Sequence, residues 1–290
     1  MKFTEYPFSS HCFEIGGMKM HYLDEGERDA PVVLMVHGNP TWSFYYRKLV
    51  LALRERYHVI VPDHIGCGLS DKPQDFSYTI AAHIQNLSAL MAHLSVDKYS
   101  MVVHDWGGPI GFGHAIEAPE KVKGLVVLNT SVFYLDAMPW QIRLSRTPII
   151  GEFFLRGFNL FSIGAYYLAI VKKEKRNREN YAAYTKPYNS WKNRIAVLRF
   201  VQEIPLEENH PNRALLEKLD RETMQFQDTP MLILWGDHDF VFTPESFCVE
   251  FERRFPQAEV HHFADAGHYV LEDADEEIIP LVRKFLDLNC

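Results

Sequence analysis

Cysteine is scarce and scattered: Cys12, Cys67, Cys248 and Cys290 are the whole set, and no two form a C-x-x-C pair. That spacing excludes a zinc knuckle or a dithiol redox centre, and reduced thiols in a cytoplasmic protein are expected. Long hydrophobic runs are also missing. The most apolar stretch, Leu160 to Val171, is 12 residues long, short of the roughly 20 that a spanning helix needs, so no transmembrane segment is expected. The opening MKFTEYPFSSHCFEIGG lacks the apolar core of a secretory signal, and no cleaved export is expected. Positive charge is in deficit: 30 Lys and Arg against 38 Asp and Glu give −8. With no clustered basic face, a nucleic-acid partner is excluded. Only Lys172 to Arg178 is locally basic, and a solvated helix end accounts for it. The histidines show no metal-ligand spacing, and neither a metal nor a cofactor is expected.

What is present is a rhythm. Alternating segments around Phe13 to Ile15 and Lys19 to Asp24, parted by Gly16-Gly17, predict an opening hairpin. Continuous apolar runs follow at Val32 to Val36, His58 to Val61, Ser100 to Val103, Leu125 to Leu128 and Met231 to Leu234, with a weaker one at Glu259 to Phe263. Such runs suit strands buried on both faces. Helical patterns lie between most of them, at Phe44 to Arg54, Ala81 to Leu94, Pro109 to Ile116 and Pro244 to Arg253, and Glu276 to Leu288 closes the chain. The expected fold is α/β, with a mostly parallel eight-stranded sheet and helices on both faces.

One interval breaks the rhythm. Between Leu128 and Met231 no buried strand is expected, while aromatics crowd in from Trp140 to Phe200. The gap is too long for a loop. It predicts a helical lid inserted after the sixth strand, over 133–210, between core segments 1–132 and 211–290. Some lid aromatics should form a small core of their own, and the rest should face a pocket able to bury an apolar substrate.

Ligands of open parallel sheets bind beyond the carboxyl ends of the strands. Four such places carry polar groups: His37-Gly38-Asn39-Pro40, His104-Asp105-Trp106-Gly107, Gly236-Asp237-His238-Asp239 and Gly267-His268-Tyr269. In chain order Asp105, Asp239 and His268 give nucleophile, acid and base, on a strand-to-helix elbow that Gly107 and Gly108 keep narrow. Val103 stands where a G-x-S-x-G elbow has its first glycine. A carboxylate there is already anionic at neutral pH and can displace a leaving group from carbon without prior deprotonation. The resulting ester needs water activated by His268, with Asp239 orienting the imidazole. Backbone N–H groups of Asn39 and Trp106 suit the oxyanion, and their side chains are uncharged donors for a departing halide or carboxylate. Asp237 competes for the role of the acid, but the W-G-x-x-D spacing favours Asp239. His37, His64, His104 and His238 read as loop or supporting residues.

The stretches HGNPTWSFYYRKL, PDHIGCGLSDKP, VHDWGGPIG, WGDHDFVF and AGHYVLEDA together resemble the haloalkane dehalogenase family of the α/β-hydrolase fold. The resemblance implies Asp105 as nucleophile, His268 as base, Asp239 as acid, and Asn39 with Trp106 as halide donors. One branch of that family carries its acid after the sixth strand, where this chain has Asn129; the later acid and the Asn/Trp pair resemble its third subfamily. The stretches MPWQIRL and PYNSWKNRIAVLRFVQEIPL are also similar to the β-lactone decarboxylases of bacterial olefin synthesis. Carbon-halogen cleavage of haloalkanes is the first expectation and β-lactone decarboxylation the second. The implied partners are a small apolar substrate and a halide ion, with a homo-oligomer or multi-enzyme assembly through the lid. An epoxide hydrolase would need lid tyrosines from among Tyr166, Tyr167, Tyr184 and Tyr188. A receptor that binds without turnover is a further alternative.

Overall fold

The computed structural model describes residues 3–135, 143, 146, 147 and 151–290. Its centre is an eight-stranded sheet in the order β1-β2-β4-β3-β5-β6-β7-β8. β1 (His11–Ile15) and β2 (Met18–Glu25) form the opening hairpin, and β2 pairs antiparallel with β4 (His58–Pro62). From β4 onward every pairing is parallel, through β3 (Val32–Val36), β5 (Tyr99–Asp105), β6 (Val122–Thr130), β7 (Met231–Gly236) and β8 (Glu259–Phe263). Each sequence-predicted strand is found, extended by up to three residues at an end.

Burial explains why the apolar runs are continuous. Alternate residues of the central strands feed separate cores: Leu34, Val36, Met101, Val103 and Ile233 pack on one face, and Val33, Met35, Val102, Leu232 and Leu234 on the other. The helices that cover these faces include α1 (Arg47–Leu53), α2 (Ile80–His93), α3 (Gly107–Ala115) and the closing helix Asp275–Asn289. Phe44 to Arg54 is not one regular helix, because a tight 3-10 turn, Ser43–Tyr46, precedes α1.

Between β6 and β7 the described chain is helical. It comprises a wide turn at Glu152–Gly157, then α4 (Leu160–Ala169), α5 (Arg178–Thr185), α6 (Ile195–Gln202) and α7 (Pro211–Glu222). Trp140 and most of MPWQIRL lie outside the described residues. The aromatics here do not gather into a core of their own. Tyr166 and Tyr184 join one core of the sheet and Phe200 the other, leaving Leu155, Leu198 and Val201 as a separate small cluster.

The basic run also differs from a solvated helix end. Lys172 pairs with Asp265 at 2.8 Å, and Lys175 pairs with Asp275 and Glu276 at 3.0 Å each. Backbone N–H groups of Val171 and Lys172 donate to Asp273, both at 2.9 Å. The run is therefore docked on the acids between Asp265 and the start of the closing helix.

Candidate active site

Asp105 ends β5 with φ of +51°, in the left-handed region that few side chains other than glycine adopt. The neighbours make the turn possible. A Cβ on Gly107 would lie 1.9 Å from the Val36 carbonyl oxygen, and one on Gly108 would lie 2.1 Å from Thr130 Oγ1. Thr130 Oγ1 in turn donates to the Asp105 carbonyl. Gly38 is bound to be glycine for a related reason, since its Cβ would strike the Asp105 carboxylate at 1.9 Å. Strand, turn and helix thus close around one side chain and lift its carboxylate above the sheet.

Two polar contacts fix that carboxylate. Asn39 N–H donates to Oδ1 at 2.5 Å, while His268 Nε2 stands 3.6 Å from Oδ2, outside hydrogen-bond distance. On its other side His268 Nδ1 meets Asp239 Oδ2 at 2.7 Å. Asp239 is buried and heavily solvated by protein: Val241 and Phe242 N–H groups donate to Oδ1 at 2.7 and 3.0 Å, and Asn129 Nδ2 to Oδ2 at 2.9 Å. Burial alone would raise the Asp239 carboxyl; the imidazole and the two backbone donors reverse that and hold it below the usual range. Burial likewise disfavours the His268 imidazolium, yet the carboxylates of Asp239 and Asp105 outweigh it and hold His268 up at about 10. The two acids thus favour the charged form of the His268 ring.

Asp237 is turned elsewhere. Its carboxylate meets His262 Nδ1 at 2.7 Å, and His262 Nε2 faces Glu252 and Cys248 at 3.3 and 3.9 Å, outside the site. This Cys-Glu-His group spans two elements, so no local spacing revealed it. His37 and His64 are buried and bonded to one another's backbone, and His104 Nε2 meets the His268 carbonyl at 2.8 Å. Burial, then the neighbouring His268, lowers His104 to about 3, so it supports the loop as a neutral ring.

Above Asp105 lies a cavity of about 460 Å³, within the size range of small-molecule sites. Asn39, Asp105, Trp106 and His268 all reach it. Trp106 Nε1 has no acceptor among the described residues. Asn39 Nδ2 donates to Val197 of α6 at 3.3 Å, leaving its second hydrogen and an unpartnered Oδ1. The walls come from both sides of the sheet: Phe133, Leu216 and Phe247 belong to one core, Ala165, Ala169 and Tyr269 to the other. The cavity thus lies over the carboxyl ends of the strands, with walls drawn from both cores.

None of the four lid tyrosines lines it. Tyr166, Tyr184 and Tyr188 donate to Asn177, Glu272 and Thr41 at 2.9, 2.5 and 3.3 Å, and Tyr167 is half exposed. The feature needed for epoxide opening is not assembled from them. Sequence reasoning missed two supports: Asn129, legible only as a polar residue closing an apolar strand, and Tyr269, whose ring lines the cavity beside His268.

The chain's similarities agree with this geometry. Residues 31–275 match the alpha/beta hydrolase fold family. A cis-3-alkyl-4-alkyloxetan-2-one decarboxylase of Shewanella oneidensis is 46% identical over 98% of this chain and 90% of its own. Haloalkane dehalogenase 2 of Mycobacterium tuberculosis is 34% identical over 94% of this chain and 93% of its own. Among solved structures, a haloalkane dehalogenase from Bradyrhizobium elkani superposes with a TM-score of 0.85 at 28% identity, covering 97% of this chain and 98% of that one. The chain belongs to the α/β-hydrolase fold family and is an enzyme of the branch that contains the haloalkane dehalogenases and these decarboxylases.

Proposed function

We propose that this enzyme is a β-lactone decarboxylase that converts 3,4-dialkyl-oxetan-2-ones into alkenes and carbon dioxide, with Asp105 as nucleophile. The observation that carries this reading is the 46% identity, nearly end to end, with a relative named for that substrate class, against 34% for a dehalogenase. The order of the two sequence expectations is accordingly reversed. A cavity with apolar walls on both sides of the carboxylate suits a substrate with two alkyl arms on adjacent carbons.

Asp105 Oδ2 attacks C4 of the lactone, and the ring C4–O bond breaks with its electron pair passing to the ring oxygen. This leaves an ester on C4 and a free carboxylate on C3. The C3–carboxylate bond then breaks, its electrons form the double bond, and the C4–O bond to Asp105 returns its pair to the enzyme. No water or net proton is consumed. Inversion at C4 followed by anti departure gives a cis alkene from a cis lactone.

Each polar group has a place in this scheme. Asn39 N–H holds Oδ1, which leaves Oδ2 to attack. The Trp106 indole and the Asn39 amide receive the carboxylate as it forms, as preorganised donors in a dry site. His268, kept cationic by its two acids, orients Asp105. Residues 133–210 act as the lid that excludes water, inserted between core segments 1–132 and 211–290.

The 34% identity with a dehalogenase favours a second reading on the same residues. There the ester on Asp105 is hydrolysed, and forming it removes one of the carboxylates that hold His268 protonated, so the imidazole can become the base. Purified enzyme given a cis-dialkyl β-lactone and, separately, 1-bromoalkanes distinguishes the two. Alkene release is expected to be much the faster reaction, and Asp105→Asn should abolish it; faster halide release would restore the dehalogenase reading. His268→Ala sharpens the test, because it should trap an alkyl ester on Asp105 with bromoalkanes, seen by mass spectrometry, yet leave alkene release measurable.

A further inference from the structure

Charge and apolar surface are both concentrated on the outer side of the helices between β6 and β7. Residues 151–202 hold ten lysines and arginines against three glutamates, whereas the rest of the chain holds 20 against 35. Lys172 is paired with Asp265 and Lys175 with Asp275 of the closing helix. By contrast, Lys173, Arg178, Lys186, Lys192 and Arg199 are exposed, and none has a carboxylate partner among the described residues. An anionic protein thus concentrates exposed, unpaired cations on this inserted segment.

The same segment exposes large apolar side chains. Phe153, Phe158, Tyr167 and Leu168 are 54, 57, 50 and 59% exposed. Phe153 touches both Phe154 and Phe158 edge to face, with ring centroids 5.4 and 5.2 Å apart. Guanidinium groups lie among these rings: Arg176 lies over Tyr167 at 5.8 Å, Arg156, itself buried and paired with Glu152 at 2.8 Å, lies over the half-exposed Trp191 at 4.7 Å, and Arg194 donates to the Gly157 carbonyl at 3.0 Å. Exposed aromatics on a segment that also carries unpaired cations call for a partner that is apolar and anionic at once.

The patch is also continuous with the cavity. Phe154, Leu160 and Leu168 are exposed to solvent and line the cavity, so they form its rim. A protein partner would have to supply both the negative charge and the substrate. A lipid leaflet supplies negative headgroups above an acyl phase in which a dialkyl substrate dissolves.

We propose that the face formed by Phe153, Phe158, Tyr167 and Leu168, with its surrounding cations, docks on an anionic lipid bilayer, so that substrate passes from the acyl phase into the cavity. The surface stands on its own chemistry, whichever substrate is turned over. The test is co-sedimentation of the full chain with phosphatidylglycerol-rich vesicles and with pure phosphatidylcholine vesicles. Binding to the anionic vesicles is expected to be stronger by roughly tenfold or more and to fall as salt screens the cations. Two double variants that spare the cavity, Phe153→Ser with Phe158→Ser and Arg178→Glu with Lys192→Glu, should each lose most of it while keeping wild-type circular dichroism. Equal binding to both vesicles, no binding, or binding unchanged in both variants overturns the proposal. A concentration-dependent dimer abolished by the phenylalanine variant also overturns it, assigning the face to a second copy. None of these readouts uses turnover, so failure here is separable from failure of the decarboxylase reading.

Discussion

His268 sits where three influences meet: burial that opposes its charge, and two carboxylates that favour it. Its value near 10 against an ordinary 6.5 makes the charged ring a source of stability that is full below about pH 6.5 and lost as pH rises through about 10. Asp239, lowered from 3.8, contributes in the opposite sense, present above its ordinary value and lost on acidification through its folded one. The melting-temperature difference between wild type and His268→Gln should therefore be widest at mildly acid pH, just below about 6.5, and narrow steadily from there toward pH 10. A difference that stays constant through that range would mean that the imidazolium is not formed in the empty site. These residues were legible because each lies within five residues of the carboxyl end of a predicted strand, next to a glycine-bearing turn. Asn129 also follows a predicted strand, but its role depends on Asp239, 110 residues away, which no local pattern reports.

At the scale of elements, a buried ion pair ties the inserted helices to the core. Arg47 of α1 meets Glu272 at 2.5 and 2.9 Å, and Glu272 also accepts from Tyr184 of α5 at 2.5 Å. Asn180 of α5 accepts from Arg47 at 3.3 Å. Glu272 lies four residues beyond His268, so the network holds α1, α5 and the histidine loop together. Removing one partner of a buried pair strands the other's charge. Arg47→Met should cost about 3–5 kcal/mol of stability in denaturant unfolding, and Arg47→Met with Glu272→Met should recover part of that loss. A single variant within experimental error of wild type would show that the pair is not a structural tie.

Elements differed in how far the sequence betrayed them. Strands buried on both faces announce themselves as unbroken apolar runs, so β3 to β7 could be read to within a few residues. The helices after β6 could be read as helical but not placed. Tyr166, Tyr184 and Phe200 find their partners in two cores already built by distant strands, and aromatic content alone does not say which. Arg47 and Glu272 are 225 residues apart, and a charged residue within an otherwise apolar segment gives no sign of its partner.

For the molecule as a whole, the cavity lies over the carboxyl ends of the strands, and its lining is uneven. Phe133 and Phe247 are bulky, whereas α4 adds the small Gly164, Ala165 and Ala169 beside Leu160, Phe161 and Leu168. A Cβ at Gly164 would meet nothing within 4 Å, so this wall is open space set by a missing side chain. With the proposed lactone substrates, Gly164→Leu should fill it, lowering kcat/KM for long-armed lactones by about tenfold while short-armed ones change little. A uniform loss across chain lengths would place Gly164 away from the substrate path.

That unevenness of the lining gives the proposed reaction a sense of direction. With attack at C4 alone, as proposed, the arm on C4 and the arm on C3 leave the reacting carbons toward different walls. Two lactones with the same carbon count but with their arms exchanged would then be different substrates to this protein, distinguished by the position of the longer chain as well as by total length.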